Sequence, residues 1–175
     1  MTTRQPPRFY GVDTYKDHLG RFSFRFPTTW LRYDLDDDRD GVMYRPRDAD
    51  EHTSFSAWVS RLEQPSVVED LSLLQRSIDE GLGRLPACHI DVSDDVVLEN
   101  LLKFERVYTF EDGAAIRKRK TWIIYVDTWL LVPAWQGSSP DDFDYWLAMA
   151  NYSFATFTLP DALWFALDRD LSRKA

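Results

Sequence analysis

Hydrophobic positions recur every second residue along most of this chain and every third or fourth residue in a few segments. The first rhythm belongs to strands with two unlike faces, the second to helices with one apolar stripe. Phe9 to Tyr15 reads as an opening strand, and Asp17 to Gly20 as a turn. Phe22, Phe24 and Phe26 then alternate with Ser23 and Arg25, which lines three rings along one face of a second strand. Pro27 stops it, Trp30 follows, and an acidic loop runs from Asp34 to Gly41. Val42 to Tyr44 and Phe55 to Leu62 continue the strand pattern, the latter alternating Phe55, Ala57 and Val59.

The rhythm changes at Ser66, which is placed to cap a helix, with Glu69 three residues on to complete a capping box. Val67, Leu71, Leu74, Ile78, Leu82 and Leu85 form its stripe, and Gly81, Gly83 and Pro86 fray and end it. Long strands follow in succession. His89 to Leu98 is the weakest of them. Phe104, Arg106, Tyr108 and Phe110 alternate up to Asp112-Gly113, a strong signal for a tight hairpin. The chain returns through Ile116 to Tyr125, turns at Val126-Asp127-Thr128, and goes back along Trp129 to Gln136. A second helix starts at Ser139, with Pro140 in its first position and Asp141 and Asp142 matching its dipole. Phe143, Trp146, Leu147, Ala150 and Phe154 make its buried stripe. A tail helix is expected from Pro160 to Ser172, with Leu163, Trp164, Leu167 and Leu171 on one side. The order predicts an α+β fold, an antiparallel meander packed against helices.

Composition fits one domain over residues 1–175, with a flexible lead at 1–8 and the tail helix at 160–172. Apolar residues make up 44% and aromatics 15%, ample for one core, and some of the aromatic surface is left over for a ligand or partner. The net charge of −8 opposes nucleic acid and acidic membranes. The single cysteine, Cys88, excludes an intrachain disulfide, and residues 1–9 lack the apolar stretch of a signal peptide. A cytoplasmic protein is expected, monomeric or homodimeric.

Gly20-Arg21-Phe22-Ser23-Phe24-Arg25-Phe26-Pro27-Thr28-Thr29-Trp30 resembles the opening strand of the PsbP-like family, which ends in Pro-x-x-Trp. The capped helix near Ser66 follows in the family's order. So does the long meander leading to Gln136-Gly137 and a final helix that closes on Ser153-Phe154. The resemblance spans about Tyr15 to Phe157; the tail helix lies beyond it. The family contains the extrinsic subunit of the photosynthetic oxygen-evolving complex, a Ran-binding nuclear import factor and many bacterial proteins. It implies an α/β/α sandwich around a central antiparallel sheet and non-catalytic work, docking onto larger assemblies or small ligands. Some bacterial relatives of similar fold shield the apolar helices of secreted effectors. No functional residue carries over.

Candidate chemistry is sparse. Asp36, Asp38 and Asp40 before Gly41 match the first half of a calcium loop, but Arg47 stands where the closing glutamate belongs. A solvated acidic loop is the expectation, with calcium the one cofactor that those residues suggest. Cys88 and His89 are strand neighbours that point to opposite faces, so they cannot act as a nucleophile and its base. Arg117, Lys118, Arg119 and Lys120 lie within a strand, where a sheet buried on both faces would not tolerate them. Either one face is wet or the strand is an edge blunted by charge; Arg117 and Arg119 are candidates for docking an acidic partner. Trp164 and Phe165 on the tail are candidate aromatic anchors for a partner or a second copy.

The reading these residues support is a binding or accessory module for a protein partner, an effector or a small ligand. The alternatives are an isomerase- or hydrolase-type enzyme with a pocket of Tyr108, Trp122, Trp129 and Trp146, or a calcium-responsive domain.

Overall fold

Two short hairpin turns set the topology. At Asp112↔Ala115 the chain reverses over Gly113, whose φ of +62° is the left-handed backbone that a tight hairpin needs. At Val126↔Trp129 it reverses over Asp127, which adopts φ +50°, a conformation aspartate tolerates better than most residues. The computed structural model describes residues 4–35 and 39–164. Its strands are β1 (Val12–Lys16), β2 (Ser23–Pro27), β3 (Leu31–Tyr33), β4 (Asp40–Arg45), β5 (Ser54–Arg61), β6 (His89–Leu98), β7 (Leu101–Asp112), β8 (Ala115–Val126) and β9 (Trp129–Gly137). Its helices are α1 (Leu71–Gly83), α2 (Pro140–Ala155) and the short α3 (Asp161–Trp164).

Strands β3 to β9 form a seven-stranded antiparallel sheet in the order β3-β4-β5-β9-β8-β7-β6, and β1 and β2 form a separate hairpin. One helix packs on each face, giving the expected α+β sandwich. The front face carries α2 and the β1–β2 hairpin over the main core. There Phe24 meets Phe55 at 5.0 Å between ring centroids, Phe26 stacks on Tyr44 at 4.0 Å, and Trp30 stacks on Trp135 at 5.6 Å. Each such buried aromatic contributes about 1.5–3 kcal/mol through removal from water. The hairpin is tied to the chain leaving α2, because Ser23 and Thr158 exchange backbone hydrogen bonds of 3.0 and 2.8 Å. The back face carries α1, whose Ile78 packs with Leu102 and Phe104 and with half-buried Leu71, Leu74, Leu82, Ile123 and Tyr125.

Several local expectations change. The opening strand begins at Val12, not Phe9, because β2 ends at Pro27 opposite Val12 and the pairing closes with Thr28 N–H donating to the Gly11 carbonyl at 3.1 Å. Phe9 instead lies 45% exposed with its ring edge on Tyr152. The first cap slips by one residue. Val67 N–H donates to the Asp70 carboxylate at 3.0 Å and a 3-10 turn at Val68–Asp70 leads into α1, so Ser66 and Glu69 form no capping box. The second cap is as expected: Asp142 N–H donates to Ser139 Oγ at 3.1 Å, with Pro140 in the first turn. Strand β8 is not an edge but sits between β7 and β9; the edge on that side is β6, the weak strand of the sequence. Of the tail helix, residues 165–172 lie outside the described residues.

Candidate binding groove

The sheet is longer than α1 can cover. Side chains alternate faces along each strand, and the register lines those of the back face into rows. Met43, Ser56, Ala134, Thr121 and Arg106 face one another across β4, β5, β9, β8 and β7. Ser54, Gln136, Arg119 and Tyr108 form the next row, and Trp58 with Val132 another. Helix α1 sits over Leu102, Phe104, Ile123 and Tyr125, at the far end of β7 and β8. Beyond it Ser54, Ser56 and Ala134 on β5 and β9 are small, and a groove of about 340 Å³ runs across the sheet, lined by these rows together with Leu35, Arg39 and Glu51. That volume is at the lower end of small-molecule sites.

The polar groups of the groove are fixed by their neighbours. Arg119 Nε donates to Gln136 Oε1 at 3.0 Å, and its Nη2 donates to the same oxygen. Gln136 Nε2 in turn donates to the His52 carbonyl at 3.0 Å, which holds the amide with its oxygen toward the guanidinium. The Arg119 guanidinium also lies 5.2 Å from the Phe110 ring centroid. Arg106 is 2% exposed and satisfied by Asp95 at 2.6 Å and the Glu105 carbonyl at 2.9 Å, with Asp79 at 3.5 Å. Thr121 is 7% exposed, lines the groove, and its hydroxyl has no hydrogen-bond partner among the described residues. An unsatisfied buried hydroxyl costs about 1–3 kcal/mol, so this one marks a place where the fold tolerates a deficit.

The basic run of the sequence therefore divides by face, as alternation requires, but with unequal outcomes. Arg117 is buried, donating to Asp112 at 3.2 Å and to the Ser138 carbonyl at 2.6 Å, so it knits the β7–β8 hairpin to the start of α2. Arg119 reaches the groove. Lys118 and Lys120 lie on the front and pair with Asp144 at 3.2 Å and Glu105 at 3.3 Å. Of the four aromatics expected to line one pocket, Tyr108 belongs to the back face, whereas Trp122, Trp129 and Trp146 pack against the front core. The sheet itself separates them.

A larger hollow, about 640 Å³, opens at the front beside Tyr15, His18, Trp30, Arg32 and Asp40. Ligand atoms of Asp17, His18 and Asp40 lie within 4.8 Å of one another there. Yet Arg21 already occupies the centre of that group. Its Nε and Nη2 bond the Asp17 carboxylate at 2.7 and 2.8 Å, and Nη2 also bonds Asp40 at 2.6 Å. A cation would have to displace a guanidinium that already bonds both carboxylates and offsets one of their two charges. Of the acidic calcium motif, Asp40 is thus committed to Arg21, and Asp36 and Asp38 lie outside the described residues, as do the Trp164 side chain and Phe165. Burial pushes the Asp17 carboxyl up, but bonds from the Arg21 side chain and from backbone N–H groups outweigh it and hold Asp17 below the usual aspartate range.

Cys88 and His89 do not converge on either cavity. Burial pushes the Cys88 thiol up, and His89 is exposed with Asp91 3.6 Å away. Among the described helices, none is long and apolar enough to cross a membrane.

Thr121 and Trp58 carry no motif, and Gln136 stands in the sequence only as the end of a strand before Gly137. The signal for the groove was Ser54 and Ser56, which alternate with Phe55, Ala57 and Val59 and leave the second face of that strand poor in apolar side chains.

No family model matches the sequence, and no curated protein matches it. Solved structures do resemble it in fold. The solution structure of cyanobacterial PsbP (CyanoP) from Synechocystis sp. PCC 6803 superposes with a TM-score of 0.63 at 12% identity, over 91% of this chain and 99% of that one. The Ran-binding protein Mog1p of Saccharomyces cerevisiae gives 0.57 at 11% identity, over 85% and 95%. LpqN of Mycobacterium tuberculosis, involved in cell envelope biogenesis, gives 0.58 at 17% identity, over 85% and 92%. The chain has the PsbP/Mog1p-like fold.

Proposed function

We propose that this chain, starting from its PsbP/Mog1p-like fold, is a non-catalytic binding module whose working surface is the open half of the back face. The observation that carries the reading is the groove between α1 and the β4 side of the sheet. There, Ser54, Ser56 and Ala134 leave half-buried Trp58 and Arg119, with buried Tyr108 beside them, lining a floor that none of the described helices covers. Trp, Tyr and Arg are the residues that most often anchor binding.

Binding is favoured over catalysis by what meets in the groove. Its titratable groups are Arg39, Glu51, Tyr108 and Arg119. None forms the nucleophile–base–orienter geometry of a covalent mechanism, and the Thr121 hydroxyl has no base within hydrogen-bond reach to activate it. A guanidinium, a hydroxyl and aromatic walls hold a molecule well and transform it poorly. Similarity of fold to the Ran-binding Mog1p agrees with this reading, although fold alone does not fix function.

The test is to fill the groove. Ser56 is central on its floor, and Ser56→Trp would occupy the space without touching the front core. Wild-type protein purified from its native cells is expected to carry a bound small molecule or protein, identified by mass spectrometry, that the folded variant has lost. Equal retention by both, or none by either, would remove the groove as the working surface.

A further inference from the structure

The groove reading leaves its occupant open, and the charges around Arg119 narrow it. Five other enclosed cations in the described chain meet carboxylates. Arg21 meets Asp17 and Asp40; Arg106 meets Asp95 and Asp79; Arg117 meets Asp112; Lys118 and Lys120 meet Asp144 and Glu105. Arg45 and Lys103 instead lie over the rings of Tyr33 and Trp122, at 4.2 and 4.1 Å, and of the half-buried cations without a carboxylate it is Arg119 that lines the groove. It is half-buried on a central strand, and its partner is the neutral oxygen of Gln136, itself locked by the His52 carbonyl. A carboxamide aims a guanidinium but does not neutralise it. No carboxylate of the described residues pairs with it, and this positive charge is left to an incoming group.

A second and independent observation lies two residues along the same strand. The Thr121 hydroxyl is buried, lines the same groove and has no partner among the described residues. Residues two apart on a strand share a face at a spacing of about 6.6–6.8 Å. A carboxylate seated between them accepts from a guanidinium N–H on one side and from the hydroxyl on the other, which answers both deficits at once. The walls beyond are apolar, Trp58 and Val132 on one side and Met43 on another. The exposed Glu51 at the rim makes no ion pair with Arg119.

We propose that the groove binds a small organic acid, its carboxylate held by Arg119 and Thr121 and its apolar body laid against Trp58 and Val132. The proposal rests on the groove reading and specifies its ligand.

The experiment titrates the nitrogen-labelled full chain by NMR with two pairs of probes, phenylacetate and phenylacetamide, octanoate and octanamide. An acid of at least one pair is expected to shift the Arg119 Nε–H and the backbone amides of Thr121 and Gln136 saturably. Its amide, alike in shape but uncharged, should bind about tenfold more weakly or less. Arg119→Gln should weaken the acid by about tenfold and leave the amide unaffected, and Thr121→Val should weaken the acid by about threefold to tenfold. Thr121→Val keeps the size of the side chain and Arg119→Gln places a polar, uncharged end on a shorter one, so both should retain the wild-type spectrum elsewhere.

Equal binding of acid and amide at these resonances, abolished by Ser56→Trp, would overturn the carboxylate while leaving the groove as a binding site. Failure of every probe to shift the groove overturns the proposal as well. In that case retention of the native occupant by Ser56→Trp decides separately whether the groove reading falls with it.

Discussion

At the scale of single residues, the clasp of Arg21 between Asp17 and Asp40 shows how a motif-like cluster becomes a structural joint. The Asp17 side chain is fully enclosed and depends on Arg21 for the bonds that keep it ionised. Removing Arg21 alone strands that charge. Arg21→Met is expected to lower stability by about 3–5 kcal/mol, the usual cost of breaking a buried pair from one side. Adding Asp17→Asn should recover most of the loss, because a neutral amide no longer needs a cation. Urea unfolding of the two variants checks this, and a double variant no more stable than Arg21→Met would contradict it. The Arg119–Gln136 pair is the opposite case: a cation oriented by a neutral group and lacking a counter-charge, which is why it points to a ligand and Arg21 does not.

At the scale of elements, two glycines that look alike in sequence have opposite meanings. Gly137 ends β9 where α2 crosses close above it; a Cβ there would meet Phe143 N at 2.3 Å and its Cα at 2.5 Å. Gly81 lies within α1 with open space around the position a Cβ would take. Gly81→Ala should therefore stabilise the protein by about 1 kcal/mol through helix propensity. Gly137→Ala should destabilise it by about 1–3 kcal/mol, because the backbone of α2 has to move. Thermal melts that rank the two variants the other way would mean that the packing of α2 on β9 is looser than described. The groove also belongs to this scale. Its floor exists because α1 runs for 13 residues over one end of a sheet that spans seven strands, and Ser54, Ser56 and Ala134 beyond it leave room.

At the scale of the whole molecule, enclosed titratable groups set a pH window for folding. Asp142 is held below the usual aspartate range, first by Arg4 and then, against some burial, by Ser139 and Ser138; Asp17 is held low in the way described above. Groups whose folded pKa is depressed contribute stability above their unfolded pKa and lose it as pH falls through the folded one. On the alkaline side, burial pushes Tyr44 up to about 12, and raises Tyr15 and Tyr125 as well. A phenol harder to ionise in the folded state contributes stability that is present below its unfolded pKa of about 10 and lost above it. Stability should thus be flat near neutrality, fall below about pH 4, and fall again above about pH 10. Denaturation midpoints across that range, with tyrosinate absorbance followed on the alkaline side, provide the measurement. A plateau extending unchanged past pH 11 would show that these rings ionise without unfolding.

Most of the fold was legible in the chain because alternation and helical stripes are local. Phe22, Phe24 and Phe26, the Ser139 cap and the turn at Gly113 each depend on neighbours within a few residues. The cap at Ser66 was misplaced because Asp70 competes for the same N–H region, and only the conformation of the turn decides between them. The short β3 and the start of β1 were missed because their limits are set by partners on other strands.

The sequence by itself determined most of the strands, the two long helices and the two-faced character of each strand, since these follow from local spacing and residue chemistry. Only the tertiary structure decided that β8 is central and β6 the edge, that Tyr108 and Trp122 are divided by the sheet, and that Arg119, Gln136 and Thr121 line one groove. Strand order and helix length are properties of packing across distant parts of the chain, and no short-range pattern encodes them.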